Sequence, residues 1–193
     1  MQLNRLTETE ISEIYHTHLI FDFPADEVKP LKRILQMLHD GIYFAFGLYE
    51  NGVLRGYAFF VQGSGRAALL DYFAVVRGER GGGIGSHFLA LLRSELKELD
   101  AVILESEAID AAANEEQQSI RTRRIAFYLR NGVRKTGIRS VVFGVEYEIL
   151  CMDCAAHAGS SDLRRSLEDI YHRMFYPEFA DRASVLPDAP EKN

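Results

Sequence analysis

Between Arg77 and Gly85 the chain reads Arg-Gly-Glu-Arg-Gly-Gly-Gly-Ile-Gly, with five glycines in the eight residues from Gly78. Such a stretch holds neither a helix interior nor a strand. Glycine tolerates positive φ and lets a ligand approach the main chain closely. A glycine turn feeding a helix start offers free N–H groups and the positive end of a dipole, which suits a phosphate. A P-loop requires Gly-Lys-Ser/Thr after its spacer, and no Lys lies between Arg77 and Arg93. A dinucleotide fingerprint requires G-x-G-x-x-G and an acid about 20 residues on, a register that Gly78 to Gly85 does not fit. A third phosphate pattern, Arg/Gln-x-x-Gly-x-Gly/Ala, is met at every fixed position by Arg80-Gly81-Gly82-Gly83-Ile84-Gly85. A second suggestive spacing is Cys151-x-x-Cys154. A zinc site needs two more ligands, and only His157 is close. A redox pair stands at a helix start after a strand, whereas this one follows a strand and begins a loop. Reduced thiols without a metal are the plainer reading.

The elements on either side of the glycines have the right character to position them. Leu69–Val76 is apolar except for Asp71 and closes on Phe73, Val75 and Val76, which are good strand formers. From Ser86 the apolar residues recur at Phe88, Leu89, Leu92, Leu96 and Leu99, a helical stripe. This strand, turn and helix resemble the pyrophosphate loop of the GNAT superfamily, the acyl-CoA-dependent N-acetyltransferases. A second stretch, Arg124-Ile125-Ala126-Phe127-Tyr128-Leu129-Arg130-Asn131-Gly132-Val133, resembles the family's other signature: a helix with an aromatic pair, then Gly and an apolar residue opening a strand. It departs from that pattern at Arg121, where the family usually has Asn, and at Arg124, where it has Ala. An Asn contact to the coenzyme is therefore not carried over. Arg121, Arg123 and Arg124 either meet phosphates or are solvated.

The resemblance covers Tyr43 to Met152 and implies an α/β fold with a mixed, mostly antiparallel central sheet flanked by helices. It also implies acetyl-CoA as co-substrate. The N–H groups of Gly81, Gly82, Gly83, Ile84, Gly85 and Ser86 would bind the pyrophosphate, with Arg80 shaping the loop or adding charge. The strand end at Phe73, Val75 and Val76 would splay from the next strand to admit the pantetheine. The Val75 N–H would polarise the thioester carbonyl. A lysine-like amine, with a pKa near ~10.4, must lose a proton before it attacks. Glu105 and Glu107 are the candidate acceptors of that proton, with Asp71 third. Tyr128 is the candidate donor to the leaving thiolate, whose pKa is near ~8.5.

The 193 residues suit a single domain with a sizeable core. The proportions, 47% hydrophobic and 26% charged, are those of a globular protein. No apolar run approaches the ~20 residues of a membrane span, and no basic-then-apolar leader opens the chain. Cytoplasmic residence is the expectation, with no membrane partner. The net charge of −6 disfavours nucleic acid.

Residues 1–41 read as two helical pieces. Thr7-Glu8-Thr9-Glu10 caps the first, Phe21-Asp22-Phe23-Pro24 breaks it, and Leu31, Ile34, Leu35 and Leu38 stripe a second that Gly41 stops. Phe21, Asp22 and Phe23 are core residues or acceptor contacts. Tyr43–Tyr49 and Val53–Val61 flank Glu50-Asn51-Gly52, a strong hairpin signal. Ala101–Glu105 reads as a strand parallel to Leu69–Val76. Ala108–Ser119 reads as a loop or exposed helix, and Ile120–Asn131 as a helix with Ile120, Arg124, Phe127 and Tyr128 near one face. Arg139–Val142 and Val145–Met152 read as strands. Residues 1–154 form the expected acetyltransferase domain. Residues 155–193 are an extension packed on it, with a helix over Leu163–Phe175 and an extended or frayed end from Pro177. That tail either covers the pocket or pairs two chains as a homodimer. The expected function is acetyl transfer from acetyl-CoA to a primary amine by direct attack. Its rival is an inert acyl-CoA-binding module of the same fold.

Overall fold

A computed structural model describes residues 1–78, 82–155 and 162–187. It is a mixed α/β fold with an eight-stranded, mostly antiparallel sheet flanked by helices, and the chain divides into two compact units.

The first unit comprises Met1–Gln62 and Leu70–Glu95. It opens with a strand that the sequence does not announce, β1 (Gln2–Arg5), paired antiparallel with β2 (Tyr43–Glu50). The helical reading of residues 1–41 is corrected there. Four residues, half of them polar, carry no periodicity, and only the partner strand makes them a strand. Helix α1 (Glu8–Ile14) starts on a capping box: the Thr7 hydroxyl accepts from the Glu10 N–H, and the Glu10 carboxylate accepts from the Thr7 N–H. A π-helical turn, Tyr15–Leu19, follows α1 and leads into the short α2 (Ile20–Asp22). The wide turn places the buried Leu19 five positions after the buried Ile14. Helix α3 (Leu31–His39) begins after Pro30 and buries Ile34 and Met37.

Strands β2 and β3 (Val53–Gln62) form the expected hairpin. Asn51 and Gly52 both have positive φ, +52° and +77°, as a tight two-residue turn of that hand demands. Facing residues share a side of the sheet, so Phe44, Phe46 and Phe60 cluster on one side, with the Phe44 and Phe60 rings stacked at 4.9 Å. Tyr43, Tyr57 and Phe59 line the other side. Strand β4 (Ala67–Val75) follows β3, and helix α4 (Ile84–Glu95) buries Ile84, Phe88, Leu89 and Leu92.

The second unit comprises Gly63–Leu69 and the chain from Leu96 onward. Its strands are the beginning of β4, then β5 (Ala101–Glu107), β7 (Val145–Asp153), β6 (Arg134–Val142) and β8 (Ala183–Val185), in that lateral order. β5 pairs antiparallel with β7, β7 with β6, and β6 with β8. Of the two readings of the stretch from Pro177, extended or frayed, the edge strand β8 gives Ala183–Val185 the extended one. Three residues carry no pattern of their own. The Phe143 N–H donates to the Arg182 carbonyl and the Leu186 N–H to the Arg139 carbonyl, one at each end of β8.

Helix α5 spans Glu115–Arg130, so Glu115–Ser119, read as a loop or exposed helix, take the second form and are exposed. Asn114 caps it by accepting from the Gln117 N–H, with Glu115 and Glu116 at the dipole's positive end. Its buried face is Arg121, Ile125 and Tyr128, one position round from the expected face, and Ile120 is exposed. The helix closes in a Schellman arrangement: the Gly132 N–H donates to Leu129 O and the Val133 N–H to Tyr128 O. Helix α6 (Leu163–Phe175) has the expected bounds and buries Leu167, Ile170, Tyr171, Met174 and Phe175. Cys151 lies inside β7 and not in a loop after it, fully buried, with burial pushing its thiol up to about 12. Both cysteines are free thiols.

Candidate active site

The glycine turn sits where β4 gives way to α4. The Val76 N–H donates to the Arg55 carbonyl at 2.9 Å. Successive N–H groups of an extended chain point to opposite sides, so the Val75 N–H faces away from β3. The Phe73 ring packs on Phe88 of α4, with centroids 5.2 Å apart. Gly82 and Gly83 are exposed, and a Cβ built on either meets nothing within 4 Å. Gly83 has φ +79°, and its carbonyl accepts from the His87 N–H at 3.0 Å, which makes it the residue that opens α4. The first helical N–H groups, on Ile84, Gly85 and Ser86, have no intrahelical acceptor by the geometry of any helix start. An open glycine cradle before these donors fits a pyrophosphate. Arg80 and Gly81 lie outside the described residues.

In the same unit, the Asp71 carboxylate on β4 is nearly buried, its side chain 5% exposed. It accepts from Lys29 Nζ at 2.6 Å through Oδ1 and from the Tyr43 hydroxyl at 2.5 Å through Oδ2. Asp22 accepts from the Tyr57 hydroxyl at 2.9 Å and pairs with Arg77 at 3.1 Å. Phe23 packs edge-on against Tyr72 at 5.0 Å, whereas Phe21 is exposed.

In the second unit, Glu105 and Glu107 alternate with buried Ser106 at the end of β5. Glu107 receives Arg121 at 2.6 Å and Arg124 at 3.2 Å. Arg121 also donates to the Ala108 carbonyl at 2.8 Å. Neither arginine is therefore simply solvated: Arg121 is a buried tie between α5 and the end of β5. Glu105 takes a different partner. The Tyr171 hydroxyl of α6 donates to its carboxylate, and Ser140 of β6 lies 2.9 Å from that same hydroxyl. Burial and the neighbouring Glu105 charge push the Tyr171 phenol far above its ordinary value. Tyr128 is buried beneath α5, and burial raises its hydroxyl to about 12, partly countered by the Arg124 charge.

Sequence reasoning missed Tyr171, Ser140 and Lys29. Tyr171 falls between Leu167 and Met174 on the apolar stripe of α6, so a polar tip on a buried face was the available signal. Ser140 and Lys29 give no local signal, because their partners are distant in sequence. Among the described residues no group of three or more His, Cys, Asp or Glu side chains is placed to hold a metal, and no helix is long and apolar enough to cross a membrane.

Comparison with known proteins agrees with the glycine turn. The model of the acetyltransferase (GNAT) family matches residues 9–132. Among solved structures, a Bacteroides thetaiotaomicron protein described as belonging to the GNAT family superposes with a TM-score of 0.65 at 19% identity, covering 93% of this chain and 99% of that one. The ribosomal-protein-S18-alanine N-acetyltransferase of Escherichia coli gives 0.60 at 20% identity, covering 83% and 97%. A spermidine/spermine N-acetyltransferase of Vibrio cholerae gives 0.57 at 12%, covering 79% and 93%. No curated protein matches the chain. With a family model spanning most of the chain, and the strand, glycine turn and helix in place, the protein belongs to the GNAT family of acetyltransferases.

Proposed function

We propose that the protein transfers the acetyl group of acetyl-CoA to a primary amine by direct attack, without an acetyl-enzyme. The observation that carries this reading is the open glycine cradle at Gly82 and Gly83 ahead of the α4 N-terminus. The N–H groups of Gly82 to Ser86 bind the pyrophosphate, with Arg80 and Gly81 completing the loop. Phe73, Val75 and Val76 form the edge along which the pantetheine lies. The Val75 N–H stabilises the tetrahedral oxyanion, since its neighbour Val76 is already committed to Arg55.

Glu105 accepts the proton of the attacking ammonium. The two ion pairs at Glu107 hold it as a structural counter-charge, which leaves Glu105 the better base of the two. Tyr128 stabilises the leaving thiolate. A phenol raised to about 12 is a poor full proton donor to a thiolate of pKa near ~8.5, so its contribution is chiefly a hydrogen bond held through the transition state.

Titration of the purified protein with acetyl-CoA and then CoA tests the coenzyme reading; no binding at millimolar coenzyme sinks it. Thiol release with a panel of amines then tests turnover. Coenzyme binding without turnover on any amine would favour an inert acyl-CoA-binding module. For the base, Glu105→Gln should lower turnover by about a hundredfold or more, the lower range for a positioned general base. Tyr171→Phe should move the lower apparent pKa of the rate profile upward, because the carboxylate loses a donor that favours its charged form. An unchanged profile in both variants removes Glu105 from the mechanism.

A further inference from the structure

The Lys29 ammonium is held in a way that resembles a bound ligand more than a surface ion pair. One oxygen of the nearly buried Asp71 accepts from Nζ at 2.6 Å, and the other accepts from the Tyr43 hydroxyl. The Tyr72 ring faces the ammonium, with Nζ 5.2 Å from its centroid, within the range of a cation–π attraction. Asp71 and Tyr72 come from β4 and Tyr43 from β2, so the seat is built on sheet. Its occupant is not. Lys29 belongs to a segment of turns and irregular chain between Phe23 and Pro30, most of it exposed. That segment is clipped to the same tyrosine twice: the Lys29 N–H donates to the Tyr72 hydroxyl at 2.8 Å, and that hydroxyl donates to the Glu27 carbonyl at 2.9 Å.

A carboxylate held in place by a hydroxyl on its far oxygen, with an aromatic face beside the cation, is the recognition chemistry of an alkylammonium group. We propose that the Asp71–Tyr43–Tyr72 seat binds the primary ammonium of a ligand, and that Lys29 is an internal occupant which this ligand displaces. This rests on reading the protein as an N-acetyltransferase, and it names the acceptor class as a molecule bearing a primary alkylammonium. The seat recognises the cation and does not deprotonate it, because a carboxylate beside an ammonium favours the charged form. The nitrogen that attacks the thioester must shed its proton elsewhere. Emptying the seat without refilling it is costly, since Asp71 is then a buried charge without its cation. An exogenous ammonium and Lys29 therefore compete for one place.

The test uses n-propylammonium chloride as probe, at constant ionic strength, with n-propanol as the neutral control. Binding is followed by the NMR shifts of the Tyr43 and Tyr72 rings in the full chain. Lys29→Met keeps the apolar stem and removes the competitor, so it should bind the probe at least about tenfold more tightly than the wild type does. Lys29→Met combined with Asp71→Asn should lose the binding, and n-propanol should not bind either protein. Equal affinity in wild type and Lys29→Met, no binding in either, or binding retained by the double variant overturns the proposal. Should thermal melting show Lys29→Met to be unfolded, Lys29→Gln replaces it with the same expectations. Acetyl-CoA titrated into the same samples reports the coenzyme site separately. Coenzyme binding without ammonium binding sinks the seat alone, and ammonium binding without coenzyme binding sinks the acetyltransferase reading alone.

Discussion

At the residue scale the decisive quantity is how burial sets a proton's affinity. Tyr128 was legible as a tyrosine near the end of a helix and lies on both the expected and the buried face of α5, but the depth of its burial depends on elements distant in sequence. With its hydroxyl raised to about 12, Tyr128 remains protonated throughout the working range. Tyr128→Phe should slow turnover about a hundredfold while acetyl-CoA affinity survives, and the wild-type rate should show no alkaline fall attributable to this group below about pH 11. Unchanged turnover in the variant removes Tyr128 from the chemistry. Buried acids also shape stability. Cys151 rises from 9.0, and Tyr72 and Tyr128 rise from 10.0, each to about 12. Because these folded-state values are raised, the contribution is full below the unfolded values and is lost as pH rises through the folded ones. Denaturant midpoints should therefore hold up to about pH 9 and fall steadily between there and pH 12. A flat midpoint across that range would show these groups to be solvated.

At the element scale, what the sequence announces is what local physics dictates. The Thr7 and Glu10 capping pair, the Asn51-Gly52 turn, the Gly132 stop and the stripe of α6 each follow from neighbours a few residues apart, and each is present. β1 and β8 are four and three residues long and acquire their structure only from a partner far along the chain. The same distinction explains the site. The glycine turn was readable, whereas the Tyr171–Glu105 and Lys29–Asp71 contacts, 66 and 42 residues apart in sequence, were not. A prediction belongs to the turn itself. Gly83→Asp places a carboxylate where phosphate is to bind, at φ +79°, a conformation that costs a residue with a Cβ ~1–2 kcal/mol. Isothermal titration should find acetyl-CoA binding abolished, with the melting temperature lowered by only a few degrees. Retained affinity would place the coenzyme elsewhere.

At the scale of the whole molecule, the family model ends at residue 132, yet the second unit continues well beyond it. Leu167 and Ile170 of α6 are fully buried, and β8 pairs with β6. Arg164 donates to the Leu186 carbonyl at 2.5 Å, tying the helix to the chain just past β8. A chain truncated after Cys154 should lose cooperative melting and be cleaved rapidly in limited proteolysis, while the intact chain resists. A truncated protein with an unchanged melting temperature would make 155–193 an appendage.

Strand β4 has a further consequence. Its residues up to Leu69 group with one compact unit and those from Leu70 with the other. If the two units open as separate cooperative blocks, deuterium uptake along this one strand should follow two time courses, with the change falling between adjacent amides. A single strand would then carry the record of both openings, and an acyl-CoA analogue that slows only the later amides would show which block the coenzyme holds shut.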